Sequence, residues 1–157
     1  MTHSALYTEL MTDPLTLGYA SLVATRDDVA LAALINTENG TKVISRFCNE
    51  RTILSNYADG PIAADALLTT LENYAAETQP LSSIVRRALR YVQQPDGLDL
   101  GAVATIEMLG ALAQYGVITA DQLSKLTAIA TIPSSRALDL FGSYISVEQI
   151  TGALNEV

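Results

Sequence analysis

The chain has 157 residues, 49% of them hydrophobic and 17% charged, with 17 acidic residues against 9 basic ones and a formal net charge of -8. That composition is too apolar for disorder, and the length suits one domain that buries about two-thirds of its unfolded surface. The acidic balance disfavours direct nucleic-acid binding, uncharged apolar runs stay well short of the about 18 residues a membrane span needs, and the opening MTHSALYTELMTD lacks the basic and apolar regions of a signal peptide.

Residues 4–11 read as a first short helix, stopped by Pro14, which pushes its predecessor out of the α region. The DPLTLGY stretch that follows reads as a loop. Thr25 is the expected N-cap of a second helix, with Asp27 and Asp28 in its first turn and an end near Asn36. Glu38-Asn39-Gly40 reads as a turn. Val43, Ser45 and Phe47 alternate with Lys42, Ile44 and Arg46, which suggests one short extended segment near residues 42–47. Asn49 caps a helix from Glu50 to about Ala58, and Pro61 primes the next.

From there the helical period is clear. Ala64, Leu67, Leu68, Leu71, Tyr74 and Ala75 form one stripe; Leu81, Ile84, Val85, Ala88, Leu89 and Val92 form another, with Ser82, Ser83, Arg86, Arg87 and Arg90 opposite. Residues 102–115 are apolar on nearly all sides, with Glu107 their only charge. That predicts a central helix, Glu107 at an edge or paired, and a close neighbour at Gly110. ITADQL (118–123) and ISVEQI (145–150) share one grammar. Thr119 and Ser146 cap, Gln122 and Gln149 close capping boxes, and Ile118 with Leu123, like Ile145 with Ile150, forms a hydrophobic staple. A repeated binding motif would need positions these capping roles leave free, and there are none.

The expected fold is therefore all-α, a single domain over residues 1–157. It divides into N-terminal helices and a loop (1–40) and a main helical core (41–157). Seven or eight short helices pack around the 102–115 helix.

Catalytic constellations are sparse. His3 is the only histidine, near the terminus, which argues against histidine base catalysis and multi-histidine metal sites. Cys48, the only cysteine, forms no intramolecular disulfide and fits a reducing compartment. No phosphate-cradling glycine motif is present. The stretch QQPDGLDLGAV (93–103) sets two aspartates among glycines. As a calcium loop starting at Asp96 it would place Leu98 and Leu100 at two ligand positions. The better reading is a Pro95-Asp96-Gly97 turn, with Asp99 as N-cap of the next helix and the two leucines anchoring the joint. Arg86, Arg87 and Arg90 are a third of all basic residues, on one face of one helix. They are the candidate partner-binding site, for an acidic partner, against the alternative of a solvated face that offsets the chain's own acids.

The runs SSIVRRALRYVQQPDGLDLG, MLGALAQYGVIT and SSRALDLFGSYISVEQITGAL resemble a family of small proteins encoded by tailed bacteriophages. The resemblance rests on three segments. Asp13, Pro14, Leu15, Gly18 and Tyr19 make up DPL..GY. Ser135, Arg136, Ala137, Leu140 and Gly142 make up SRA..LG, with one extra residue before the glycine. Ile145, Ser146 and Ile150 form a final helix start. It implies a virion-associated protein of the tail or head-tail region, made in the host bacterial cytoplasm. No catalytic activity is known for that family, and no active-site residue carries over; from the residues themselves no cofactor, metal, small-molecule substrate or membrane contact is expected. Its partners would be other virion proteins or copies of itself. The alternative is a small regulatory module that binds a host protein.

Overall fold

The computed structural model describes residues 3–155, which carry ten helices and two two-stranded sheets. The protein is mostly helical but not all-α. The described chain divides into two compact units: residues 43–132 form one, and the described residues before and after them form the other. The expected boundary at 40/41 lies close to the first crossing, but residues beyond 132 belong with the N-terminal helices, not with the core that precedes them. The crossings run in β1 (Glu38–Val43) and β4 (Thr131–Ser135), which pair with each other. A turn at 38–40 was the local reading; a partner strand some ninety residues away overrides it.

The first unit holds α1 (His3–Thr12), α2 (Tyr19–Thr25), α3 (Asp28–Asn36), α9 (Arg136–Phe141) and α10 (Val147–Asn155) around Leu6, Leu10, Tyr19, Leu31, Ile35 and Ile150. α2 lies where a loop was expected. Its N-terminal amides find their acceptor upstream, because the Asp13 carboxylate takes hydrogen bonds from Leu17, Gly18 and Tyr19 (2.7, 2.8 and 3.1 Å). Partial burial opposes ionisation of Asp13, but the three amides prevail and hold its carboxyl below the ordinary value. Asp13 itself has left the right-handed region, as Pro14 requires. Thr25 ends α2 instead of capping α3. Asp27 is the cap, accepting from the Ala30 amide. Most of the DPL..GY and SRA..LG residues have structural tasks within this unit, while Leu15 and Leu140 are exposed. Ser135 caps α9, Arg136 pairs with Glu9, Ala137 is fully buried, and Gly142 closes α9 in a left-handed conformation. The Asn36 amide group both donates to and accepts from the Ile145 backbone, and Ser146 with Gln149 completes a capping box at the start of α10.

The second unit holds α4 (Glu50–Asn56), α5 (Pro61–Ala76), α6 (Ser82–Val92), α7 (Val103–Gln114) and α8 (Ala120–Ile129), with the short antiparallel pair β2 (Phe47–Cys48) and β3 (Leu98–Asp99). The Asn49 cap, Pro61 at the first turn of α5 and the Thr119–Gln122 capping box stand as the sequence predicts. The expected extended segment is split: β1 ends at Val43 and strand resumes only at Phe47.

The core of this unit is built on the α5 and α6 stripes, with Leu67, Leu71, Val85 and Leu89 buried in it. α7 is not the central helix. It buries only Thr105, Leu109 and Leu112, Val103 is 71% exposed, and Gly110 faces open space. Glu107 lies at an exposed edge. Ser82, assigned to the polar face of α6, is buried, while Ile84, assigned to the apolar stripe, is 46% exposed. Among the described residues no helix is long and apolar enough to cross a membrane.

Candidate interaction surface

The cationic face of α6 divides in two. Arg86 turns back to α5, where its Nε and Nη2 both donate to the Ala75 carbonyl at 3.1 and 2.5 Å. That carbonyl belongs to the last turn of α5, so the guanidinium satisfies an orphan acceptor at the negative end of the helix dipole. Arg86 is a bolt between two helices. Arg87 and Arg90 are exposed, and neither has a carboxylate partner among the described residues, whereas Arg26, Lys125 and Arg136 each do.

Arg87 and Arg90 line a shallow hollow with Tyr91 and Gln94. On the other side of Arg87 an open groove runs between α6 and α7. Ile84, Ala88 and Tyr91 wall it from α6, Ala104 and Met108 from α7, and Leu98 and Thr105 complete the lining. Tyr91, 54% exposed, belongs to both depressions. The sequence reading set Arg86, Arg87 and Arg90 on one face of the helix and did not place the apolar groove beside Arg87. The signal was present in two places: Tyr91 stands one helical turn beyond Arg87, and the all-round apolar pattern of α7 exceeds what one core can cover.

The joint between α6 and α7 is the 93–103 stretch. Gly97 has φ 79°, as the predicted turn requires, and its amide donates to the Gln94 carbonyl. Asp99 is not the cap of α7, whose first residue follows Ala102. Its carboxylate faces the segment before β2, taking the Ser45 hydroxyl at 2.7 Å, the Arg46 amide at 2.8 Å and the Gly101 amide at 2.9 Å. A carboxylate filled by three donors leaves little for a cation. Among the described residues no three His, Cys, Asp or Glu side chains gather as metal ligands. Leu100 is buried in the core and Leu98 packs against it, as the anchoring role predicts. The joint therefore fixes the spacing of the groove walls by clamping the α6–α7 connection to residues 44–48.

The Ser45 hydroxyl first, and then the amides of Arg46, Gly101 and Ala102, hold the Asp99 carboxyl below its ordinary value, against partial desolvation. A depressed carboxylate stabilises the fold fully above the unfolded value of about 3.9 and loses that contribution as pH falls through the folded value. Asp99→Asn is accordingly expected to melt at a lower temperature than the parent near neutral pH, with the gap closing below about pH 4. Thermal melts across that range check it; a gap that persists unchanged in acid would show that the charge is not what matters.

Buried Cys48 has its thiol pushed up by burial, which is the inert setting of a structural cysteine. Comparison with protein-family models, with curated proteins and with solved structures finds no match for the chain.

Proposed function

We propose that the chain is a structural or adaptor component of a tailed-bacteriophage particle, in the tail or head-tail region, and that it works by protein-protein contact without catalysis. Its place of action is then the virion, after synthesis in the host cytoplasm, and its partners are other virion proteins or copies of itself. The reading draws on the resemblance of the DPL..GY and SRA..LG segments, and the observation that carries it is the α6–α7 surface. There Ile84 and Tyr91 stand exposed next to Arg87 and Arg90, which have no carboxylate partner among the described residues. Aromatic, apolar and arginine side chains in one place are the composition of a contact surface. With a chain charge of -8, that contact is with protein rather than with nucleic acid.

Quantitative mass spectrometry of purified particles tests this. The chain should appear in a fixed ratio to the other virion proteins. Its presence in infected cells but absence from particles would overturn the proposal and favour a regulatory module that engages a host protein.

A further inference from the structure

We propose that the groove between α6 and α7 receives an acidic amphipathic helix of a partner protein, its apolar ridge along Ile84, Ala88 and Tyr91 and its carboxylates on Arg87 and Arg90. This names the partner chemistry of the surface on which the proposed function rests.

The shape argues for a helix. Ile84, Ala88 and Tyr91 are spaced i, i+4, i+7 and make a ridge about 10 Å long, two helical turns. Ala104 and Met108, spaced i, i+4, face them across the groove. A trough between two such rows takes the side-chain ridge of a third helix. Ala88 and Ala104 keep the floor open, and Tyr91 supplies a rigid aromatic anchor at one end.

The charge argues for acid. In a chain with eight more acids than bases, Arg87 and Arg90 stand exposed beside the apolar trough with no internal carboxylate. A guanidinium at the rim of an apolar groove makes bidentate bonds to incoming carboxylates, and the contact excludes the water that weakens such bonds elsewhere. A second copy docking with its two-fold axis at these arginines would set them against their own counterparts, a like-charge contact that opposes that arrangement. Nucleic acid would have to work against the net charge with only Arg87 and Arg90 at this groove.

Two experiments test the proposal. The first measures fluorescence anisotropy of a labelled 18-residue amphipathic peptide, leucine on one face and glutamate elsewhere, against the full chain. The control is the same peptide with lysine in place of glutamate. The glutamate peptide should bind, with affinity falling as salt rises. Arg87→Glu combined with Arg90→Glu should weaken it by about tenfold or more, and Tyr91→Ser alone should weaken it without removing the salt dependence. All three side chains are exposed, so the variants should keep the parent circular dichroism spectrum. If the double variant unfolds, Tyr91→Ser still decides the matter. Equal binding of the lysine peptide, unchanged binding by the variants, full competition by single-stranded DNA, or self-association through this face would each overturn the proposal. The second experiment places a photocrosslinking residue at position 91 during infection. A crosslink to an acidic helical segment of another particle protein supports it. Chain present in particles but crosslinked only to itself overturns the groove and leaves the particle reading standing. Chain absent from particles overturns the particle reading, and the peptide measurement then judges the groove alone.

Discussion

Gly101→Ala is expected to destabilise the 43–132 unit by about 3–5 kcal/mol, at the upper end of what a single substitution does. Gly101 has no positive φ that would demand glycine; space demands it. A β-carbon there would sit 1.8 Å from the Ile44 carbonyl oxygen and 2.6 Å from its carbon. Both are backbone atoms, so no change of rotamer relieves the clash. The 44–46 segment between β1 and β2 would have to move away, and the Asp99 bonds to Ser45 and Arg46 would go with it. Gly97 carries the same constraint doubly, through its positive φ and through the Cys48 carbonyl carbon 2.3 Å from where a β-carbon would lie. Gly110→Ala is the control. It is a helical glycine facing open space, so alanine should stabilise by up to about 1 kcal/mol through helix propensity alone. Denaturant unfolding of the three variants checks the ordering. If Gly101→Ala matched the parent, the close approach of residues 44–48 to the joint would be wrong.

This joint shows where sequence reading succeeds and where it stops. Asn49, Thr119 and Ser146 were legible as helix starts because a cap bonds to an amide two or three residues on, and Pro61 because its fixed φ and missing amide suit a first turn, so the chemistry lies within one window. The α5 and α6 stripes were legible for the same reason. Asp99 looked like one more cap because its real partners, Ser45 and Arg46, lie more than fifty residues upstream. Asp13 serves α2 from beyond the reach of any capping pattern, and β1 exists only because β4 comes back to it. In the candidate surface the arginines were legible as residue types on a face. That Arg86 is spoken for by Ala75 while Arg87 and Arg90 have no carboxylate partner among the described residues depends on where α5 ends relative to α6, which periodicity does not encode. The all-round apolar pattern of α7 predicts burial, and α7 instead leaves Val103 exposed. The same pattern serves a central helix or a helix with one face left for a partner.

Arg136→Met should cost about 3–5 kcal/mol, because it leaves the Glu9 carboxylate buried without its cation. The pair is bidentate, Nε to Oε1 at 2.6 Å and Nη2 to Oε2 at 2.8 Å, and the Glu9 side chain is only 7% exposed. Arg136 is 18% exposed, so its removal strands the more deeply buried partner, whereas Glu9→Leu leaves a cation with some access to water. Glu9→Leu is therefore expected to be the milder change. The double variant, apolar at both positions, should recover most of what Arg136→Met loses, since a buried ion pair replaced whole by apolar side chains is often neutral or better. Tyr19 gives an independent readout. Its hydroxyl is buried with no hydrogen-bond partner among the described residues, and burial first, then the charges of Glu9 and Asp13, push its pKa up to about 12, with Arg136 pulling the other way. A phenol raised in the folded state stabilises the protein fully below its unfolded value of about 10 and less as pH climbs from there toward 12. Removing Arg136 takes away the opposing charge, so the last tyrosine to ionise in an ultraviolet titration should shift higher still; removing Glu9 should bring it down. A loss under about 1 kcal/mol for Arg136→Met, or a double variant no more stable than the single one, would mean that the pair is solvated in solution. A tyrosine titration that ignores both substitutions would mean that Tyr19 does not feel the pair, and the electrostatic arrangement of α1, α2 and α9 would have to be redrawn.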